Sequence, residues 1–512
     1  MKKSEAYWPL ILVLALFKFL LPVILQDPVY ELQRDEFLYY EQGQHPGLGY
    51  LENPPLLSWL GSVSSWFGGS ESWIKLWPCL FGAATLVFTC LIAAELGGKL
   101  FAQFLAGFSV LTGAFMRIHF LFQPNILDIF FWTLAVYFII RWVRDQKNRD
   151  LFGFMLSLAL GWWSKYSILF IGAALIPALL LSPHRFIFTR KKFYLAILAA
   201  ALIILPNLGW QYTHNWPVLH HMRELRETQL RFLSPTGFIT EQLLLLFPVI
   251  PLWTVGLVWL MRKPAWRFLA YTYLFVLILL MLGSGKSYYA LGAYPFLLAA
   301  GGVAWEKWLA KQDWKRYALS GVIVILTLPL IPVLIPVWKP EKLAPFYQKS
   351  GVAKSGVLKW EDGRNHLLPQ DFADMLGWKE ITEKTERFFK RLPVPAKENT
   401  IIYAQNYGQA GSLKYYCRSA SFRNKVISDN GSFILWIPDE LSMQHLIYVG
   451  ENWPRPADSV FRHFARVTLV DSVRNPYSRQ YGNKIIFYEQ IDSGGLRMAR
   501  ESLNEIRQRF RR

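Results

Sequence analysis

Apolar runs of about membrane-spanning length recur along the first two-thirds of this chain, separated by short polar connections. A bilayer core takes about 20 apolar residues per helix. Inside it only helices or closed barrels satisfy their own backbone groups. By that rule helical spans lie near 8–26, 73–94, 100–117, 121–140, 151–164, 166–182, 193–210, 237–260, 267–283, 287–304 and 317–338. The count is about eleven, with about thirteen as its upper bound. Composition agrees: hydrophobic residues make up 53% of the 512 residues, charged residues 18% and aromatic residues 16%. Aromatic rings at that density suit interface belts. The first run is interrupted by Lys18 and no small-residue cleavage site follows it, so it reads as an uncleaved span.

The net charge of +19 raises nucleic acid as a partner, and the placement of the basic residues argues against it. They cluster after the even-numbered spans, in "RWVRDQKNRD", "PHRFIFTRKK", "RKPAWR" and "EKWLAKQDWKR". Such clusters mark the cytoplasmic side. The first loop, 27–72, then faces outward from a plasma (inner) membrane whose cytoplasmic face holds the N-terminus. From Asp27 to Asn53 it carries Asp27, Glu31, Asp35, Glu36, Glu41 and Glu52 against a single Arg34. The expected fold is thus a polytopic α-helical membrane protein, with a transmembrane domain over 1–338 and a soluble α/β domain over 339–512 on the periplasmic or extracellular face. In that tail "TIIYA", "SFILWIP", "HLIYVG" and "KIIFYE" read as β-type runs, and "DMLGWKEITEKTERFFKRL" as an amphipathic helix. The basic "RMARESLNEIRQRFRR" reads as a helix with a solvated face.

Three cysteines, Cys79, Cys90 and Cys417, fit neither a disulfide framework nor a zinc site. His214, His220 and His221 fit no ligand spacing. No metal ligand set and no cofactor is assigned; a divalent metal stays open.

Charge at the membrane border is costly, so it points to function. Asp35 and Glu36 head the candidates; their bland reading is a cap for a short helix from Phe37 to Gln42. The loop is long and rich in rings, including Tyr39, Tyr40 and Tyr50. Long loops between packed elements are commonly functional, and a carboxylate there suits a general base. "GSGKSYYALGAYP" lacks the first glycine of a phosphate-binding P-loop, where Leu280 stands. Its Lys286, with Tyr288 and Tyr289, is either an interface anchor or a phosphate ligand. Arg117 in "MRIHF" and Lys165 in "GWWSKYS" add cations at outer span ends. Outward carboxylates facing outward cations suit group transfer from a lipid phosphate, with the cations taking the charge that develops on the leaving group. A transporter or flippase of lipid-linked sugars is the rival reading. It would place its ionisable residues nearer the bilayer midplane and show repeated halves.

The Asp–Glu pair after the first span, "ENPPLLSWL", "WSKYS" and the late Lys-x-Tyr-Tyr loop occur here in that order. Together they resemble the membrane glycosyltransferases of superfamily C, in the bacterial branch related to dolichyl-phosphate-mannose protein mannosyltransferases and lipid A aminoarabinose transferases. The tail's "NYGQAGSLKYY" is similar to the soluble segment of that branch. The resemblance implies inverting transfer of a hexosyl or pentosyl group from a polyprenyl-phosphate sugar to a glycolipid, glycan or protein acceptor in the cell envelope. It assigns Asp35 as the catalytic base with Glu36 as companion. Glu52, Pro54 and Pro55, beside Tyr39 and Tyr40, form the first-loop substrate site. The resemblance maps the phosphate-binding lysine to Lys286; Arg117, Lys165, Tyr288 and Tyr289 join it as donor-phosphate candidates from the border-charge reading above. Two positions depart from the pattern: Asn53 replaces the lysine usual in aminoarabinose transferases, and Pro124–Asn125 replaces a Pro–Asp pair, with Asp128 one turn later.

Overall fold

A computed structural model describes residues 3–228, 234–451 and 459–510. Helices occupy the apolar runs. Among the described residues five are long and apolar enough to cross a membrane: Trp8–Leu25, Glu71–Glu95, Asn125–Asp145, Lys191–Thr213 and Asp313–Leu334. Two bent pairs raise the number to seven if each is one span: Ile168–Leu180 with Pro183–Thr189, bent by 112°, and Pro235–Leu245 with Phe247–Met261, bent by 74°. Several expected spans are shorter or broken. The run 100–117 splits into Leu100–Ser109 and Ala114–Ile118, with Gly113 between them at φ 57°. The run 287–304 begins as a 3-10 helix, Ser287–Ala293, and becomes α-helical only at Tyr294. Glycines let some helices touch: a Cβ on Gly302 would lie 2.6 Å from the backbone oxygen of Ala102.

The acidic loop is itself helical. Arg34–Gln44, the loop helix, is opened by Gln33, whose side chain accepts from Asp35 N while Glu36 accepts from Gln33 N. This is a capping box, which satisfies donors that a helix start leaves unpaired. The helix begins three residues earlier than the sequence suggests. A Cβ on Gly43 would lie 2.6 Å from Ser58 O, so the loop helix rests directly on Leu56–Trp66.

The tail carries a five-stranded mixed sheet in the order β2-β1-β3-β5-β4. Its strands are β1 Thr400–Ala404, β2 Val426–Ile427, β3 His445–Gly450, β4 Phe464–Ser472 and β5 Lys484–Ile491. β1 runs parallel to β2 and β3; β5 is antiparallel to β3 and β4. Three of the four β-type runs therefore become strands. "SFILWIP" does not: it lies in the 3-10 helix Gly431–Trp436, whose start bonds to Glu52 of the first loop. The amphipathic segment forms Trp378–Arg391, starting after Gly377 at φ 86°. The basic C-terminal segment forms Ser493–Gln508, but its face is not wholly solvated. Leu496, Ala499, Leu503 and Ile506 pack on the cluster under the sheet, because they recur at helical spacing.

The tail is seated on the first loop. Gly408 and Gly411 of Tyr407–Tyr416, the docking helix, face Arg34 and Phe37; a Cβ on Gly411 would lie 2.6 Å from Phe37 Cβ. Lys414 Nζ meets Glu41 Oε1 at 2.5 Å, and Tyr416 donates to Glu71 at 2.9 Å. Glu31 accepts from the backbone N–H groups of Trp378 (2.7 Å) and Lys379 (3.1 Å). Burial outweighs those bonds and pushes the Glu31 carboxyl up to about 7. A carboxyl raised from about 4.5 adds stability below that pH, which is lost as pH rises through about 7. Glu31→Gln should therefore raise the unfolding free energy at pH 8, by up to about 3 kcal/mol, and change it little at pH 5, as denaturant melting at both pH values would read. An equal difference at both pH values would contradict this account.

Candidate active site at the loop–tail seam

Asp35 is the second residue of the loop helix, so its side chain leaves the helix at the end where backbone donors point. Its Oδ1 accepts from the Tyr407 hydroxyl at 2.7 Å, and its Oδ2 from Gln123 Nε2 at 3.2 Å. Arg34 Nε lies 3.5 Å from Oδ1, and its guanidinium covers the Tyr407 ring. The Asp35 side chain keeps 28% of its surface exposed. It is held in place and still reachable. Burial first, and then the negative charge of Asp35, push the Tyr407 hydroxyl far above its ordinary range. Tyr407 therefore stays a neutral donor.

A polar ribbon leads from Asp35 to a lysine. Gln123 Oε1 lies 3.5 Å from Asn125 Nδ2, and Asn125 Oδ1 accepts from Lys165 Nζ at 2.6 Å. The Lys165 ammonium sits over the rings of Tyr289 (4.2 Å) and Tyr288 (5.4 Å). Lys286 caps the 3-10 helix that carries both tyrosines and lies close enough to Lys165 for their charges to repel. The Tyr39 hydroxyl is pushed well above its ordinary range, by burial first and then by Asp35 and Glu52. Asp128 accepts from Trp132 Nε1 at 2.9 Å and Ser167 Oγ at 2.8 Å, on the same helix that begins with Asn125. One region thus gathers Asp35, Tyr39, Lys165, Lys286, Tyr288 and Tyr289.

Other expected residues lie elsewhere. Glu36 is fully buried; both its oxygens meet Lys75 Nζ at 2.7 Å, and it also accepts from Phe122 N and Gln33 N. Its place is behind Asp35, holding the loop helix against Glu71–Glu95 and the 120–123 turn. Arg117 is not brought to Lys165; its Nε donates to Asp371 of the tail at 2.9 Å. Glu52 accepts from Ser432 N at 2.7 Å and Gln42 Nε2 at 3.0 Å, which makes it a seam residue. Pro54 is buried and Pro55 opens the Leu56–Trp66 helix. Tyr40 accepts from Ser65 Oγ and packs edge-on against Tyr415 at 5.2 Å. Among the described residues no three His, Cys, Asp or Glu side chains are placed to hold a metal ion.

Sequence reasoning missed Tyr407, Lys75 and Gln123. Only the Gln33–Glu36 spacing carried a readable signal, that of a capping box. Tyr407 is 372 residues from Asp35, and no local pattern predicts that pairing.

Residues 52–210 match the sequence model of the dolichyl-phosphate-mannose-protein mannosyltransferases. That segment contains Gln123, Asn125 and Lys165 but neither Asp35 nor Lys286. The lipid A galacturonosyltransferase RgtD of Rhizobium johnstonii (strain DSM 114642 / LMG 32736 / 3841) is 29% identical over 196 residues, which are 37% of this chain and 41% of that protein. The match thus spans less than half of that curated relative's length. The crystal structure of ArnT from Cupriavidus metallidurans bound to undecaprenyl phosphate superposes with a TM-score of 0.60 at 12% identity, covering 94% of this chain and 98% of that one. Its apo form gives 0.58 at 12% identity, with 94% and 97% covered. Both likenesses include the helical part and the tail sheet. The chain is therefore a multi-pass membrane protein with the fold of the ArnT structures, and its residues 52–210 are similar to the dolichyl-phosphate-mannose-protein mannosyltransferases.

Proposed function

We propose that the protein transfers a sugar from a polyprenyl-phosphate donor to an acceptor hydroxyl or amine on the non-cytoplasmic side of the plasma membrane. The observation that carries this reading is Asp35, exposed yet held by Tyr407 and Gln123, on one polar ribbon with Lys165. Asp35 takes the acceptor's proton as its heteroatom attacks the anomeric carbon. The bond from that carbon to the phosphate oxygen breaks, and the electron pair stays on the polyprenyl phosphate. A single displacement inverts the anomeric configuration. Lys165 and Lys286 stabilise the departing phosphate, where the charge grows. A cavity of about 360 Å³ is lined by Arg223 and Arg226 and by Gly283 and Ser284 of the loop that carries Lys286, which would add positive charge beside that loop. Glu36 acts as a positioning residue.

In this reading the apolar runs make about eleven spans, residues 1–338 form the membrane domain, and residues 339–512 lie outside. The name of the matched galacturonosyltransferase makes lipid A the first acceptor to test and galacturonate the first sugar. Purified protein incubated with radiolabelled polyprenyl-phosphate sugars and lipid A should move the label onto lipid A. Label that crosses a vesicle bilayer while still on its polyprenyl carrier would instead establish transport.

A further inference from the structure

The ribbon between Lys165 and Asp35 consists of two side-chain amides, and its hydrogen bonds all run one way. Lys165 Nζ donates to Asn125 Oδ1 at 2.6 Å, Asn125 Nδ2 donates to Gln123 Oε1 at 3.5 Å, and Gln123 Nε2 donates to Asp35 Oδ2 at 3.2 Å. Each amide turns its oxygen toward the cation and its nitrogen toward the carboxylate. Both charges favour that orientation, and aligned hydrogen bonds strengthen one another. Gln123 Nε2 also donates at 3.3 Å to Oε1 of Gln33, which caps the loop helix, so the chain of amides is tied to the helix that carries Asp35.

Asn125 is the telling link. It is the first residue of the Asn125–Asp145 helix, after Pro124. The first turn of a helix favours negative charge, and an ammonium 2.6 Å away favours it further. Two local forces thus call for a carboxylate where the chain carries a neutral amide. Asp128, one turn further in, acts on Lys165 only at longer range; its own oxygens accept from Trp132 Nε1 and Ser167 Oγ. The groups that touch Lys165, namely Asn125 and the rings of Tyr288 and Tyr289, are neutral. Lys165 is fixed in place while its charge is left without a contacting anion in these contacts.

We infer that Asn125 is a positioning residue, a neutral spacer that aims Lys165 at the donor phosphate and reserves its charge for it. This rests on the transfer reading and adds to it the residue that sets donor affinity. A carboxylate at this position would pair with the ammonium and compete with the phosphate. It would also set an oxygen against Gln123 Oε1 and break the run of donors that ends on Asp35.

The test is Asn125→Asp, a change of charge at nearly constant shape, in the full detergent-purified chain. Binding of undecaprenyl phosphate, used as the probe, should weaken about tenfold or more. The melting midpoint should hold or rise, because the new carboxylate gains a cation and a helix start. Undecaprenol, the same chain without its phosphate, should bind wild type and variant alike. Asn125→Ala removes the hold but adds no charge, so it should weaken phosphate binding less than Asn125→Asp does. A role in shape alone predicts the reverse order, since aspartate replaces the asparagine side chain more closely than alanine does. The inference is overturned if Asn125→Asp binds undecaprenyl phosphate as wild type does, if undecaprenol binding falls equally, or if Asn125→Ala binds the phosphate more weakly than Asn125→Asp. Any of these with Asp35-dependent transfer intact sinks the spacer alone. Full transfer by Asp35→Asn sinks the transfer reading, whatever the binding measurements show.

Discussion

Asp35→Asn should lower sugar transfer by about 10²–10⁴-fold while the protein still folds and inserts. The asparagine keeps the size of the side chain and an oxygen for the Tyr407 hydroxyl, which now donates at 2.7 Å. What is lost is the ability to accept a proton. Donor binding should survive, because Lys165 and Lys286 are untouched. The measurement is initial rate against donor concentration, with thermal melting of wild type and variant alongside. Rates within about threefold of wild type would remove Asp35 from the chemistry.

Lys75→Met should damage the fold rather than the chemistry. Glu36 is fully buried and Lys75 Nζ lies 2.7 Å from both of its oxygens. Removing one partner of a buried pair strands the other charge, which costs about 3–5 kcal/mol. The remaining donors, Phe122 N and Gln33 N, do not neutralise it. The loop helix should then loosen from the Glu71–Glu95 helix and from the docking helix. That should appear as a lower melting midpoint and faster proteolysis near residues 27–53. Lys75→Met with Glu36→Gln removes both charges, so the double variant should recover much of the loss. If the single variant melts as wild type does, Glu36 is not held as described. This contrast separates two neighbouring carboxylates. Asp35 faces the accessible side of its helix, bonded by two neutral donors with Arg34 Nε 3.5 Å away, whereas Glu36, one residue and about 100° further round, faces the interior and is paired directly with Lys75.

The membrane character of this chain was legible because hydrocarbon thickness imposes a length on apolar runs and leaves helix as the only open spanning form. Three strands of the tail were legible for a similar reason: their β-branched and aromatic residues come in short runs between turns. The Gly431–Trp436 segment misled, because its composition is β-like while it folds as a 3-10 helix whose start is bonded to Glu52 rather than to a strand. The broken helices were hidden too. Hydropathy reports the solvent around a segment, not the bend at Gly113 or the 3-10 turn at Ser287.

For the site, the sequence by itself determined which ionisable residues stand at the ends of apolar runs, and so which ones carry a cost that calls for a role. Asp35, Lys165 and Lys286 were visible on that ground. Partnership was decided only by the tertiary structure. Arg117 and Lys165 look alike as border cations, yet one pairs with Asp371 of the tail and the other reaches Asn125 and two tyrosine rings. Asp35 and Glu36 look alike as an acidic pair, yet one is held by Tyr407 and the other is buried on Lys75. Cost is a property of a residue and its local span, so it can be read along the chain. Pairing is a property of distances between segments tens to hundreds of residues apart, which only packing sets.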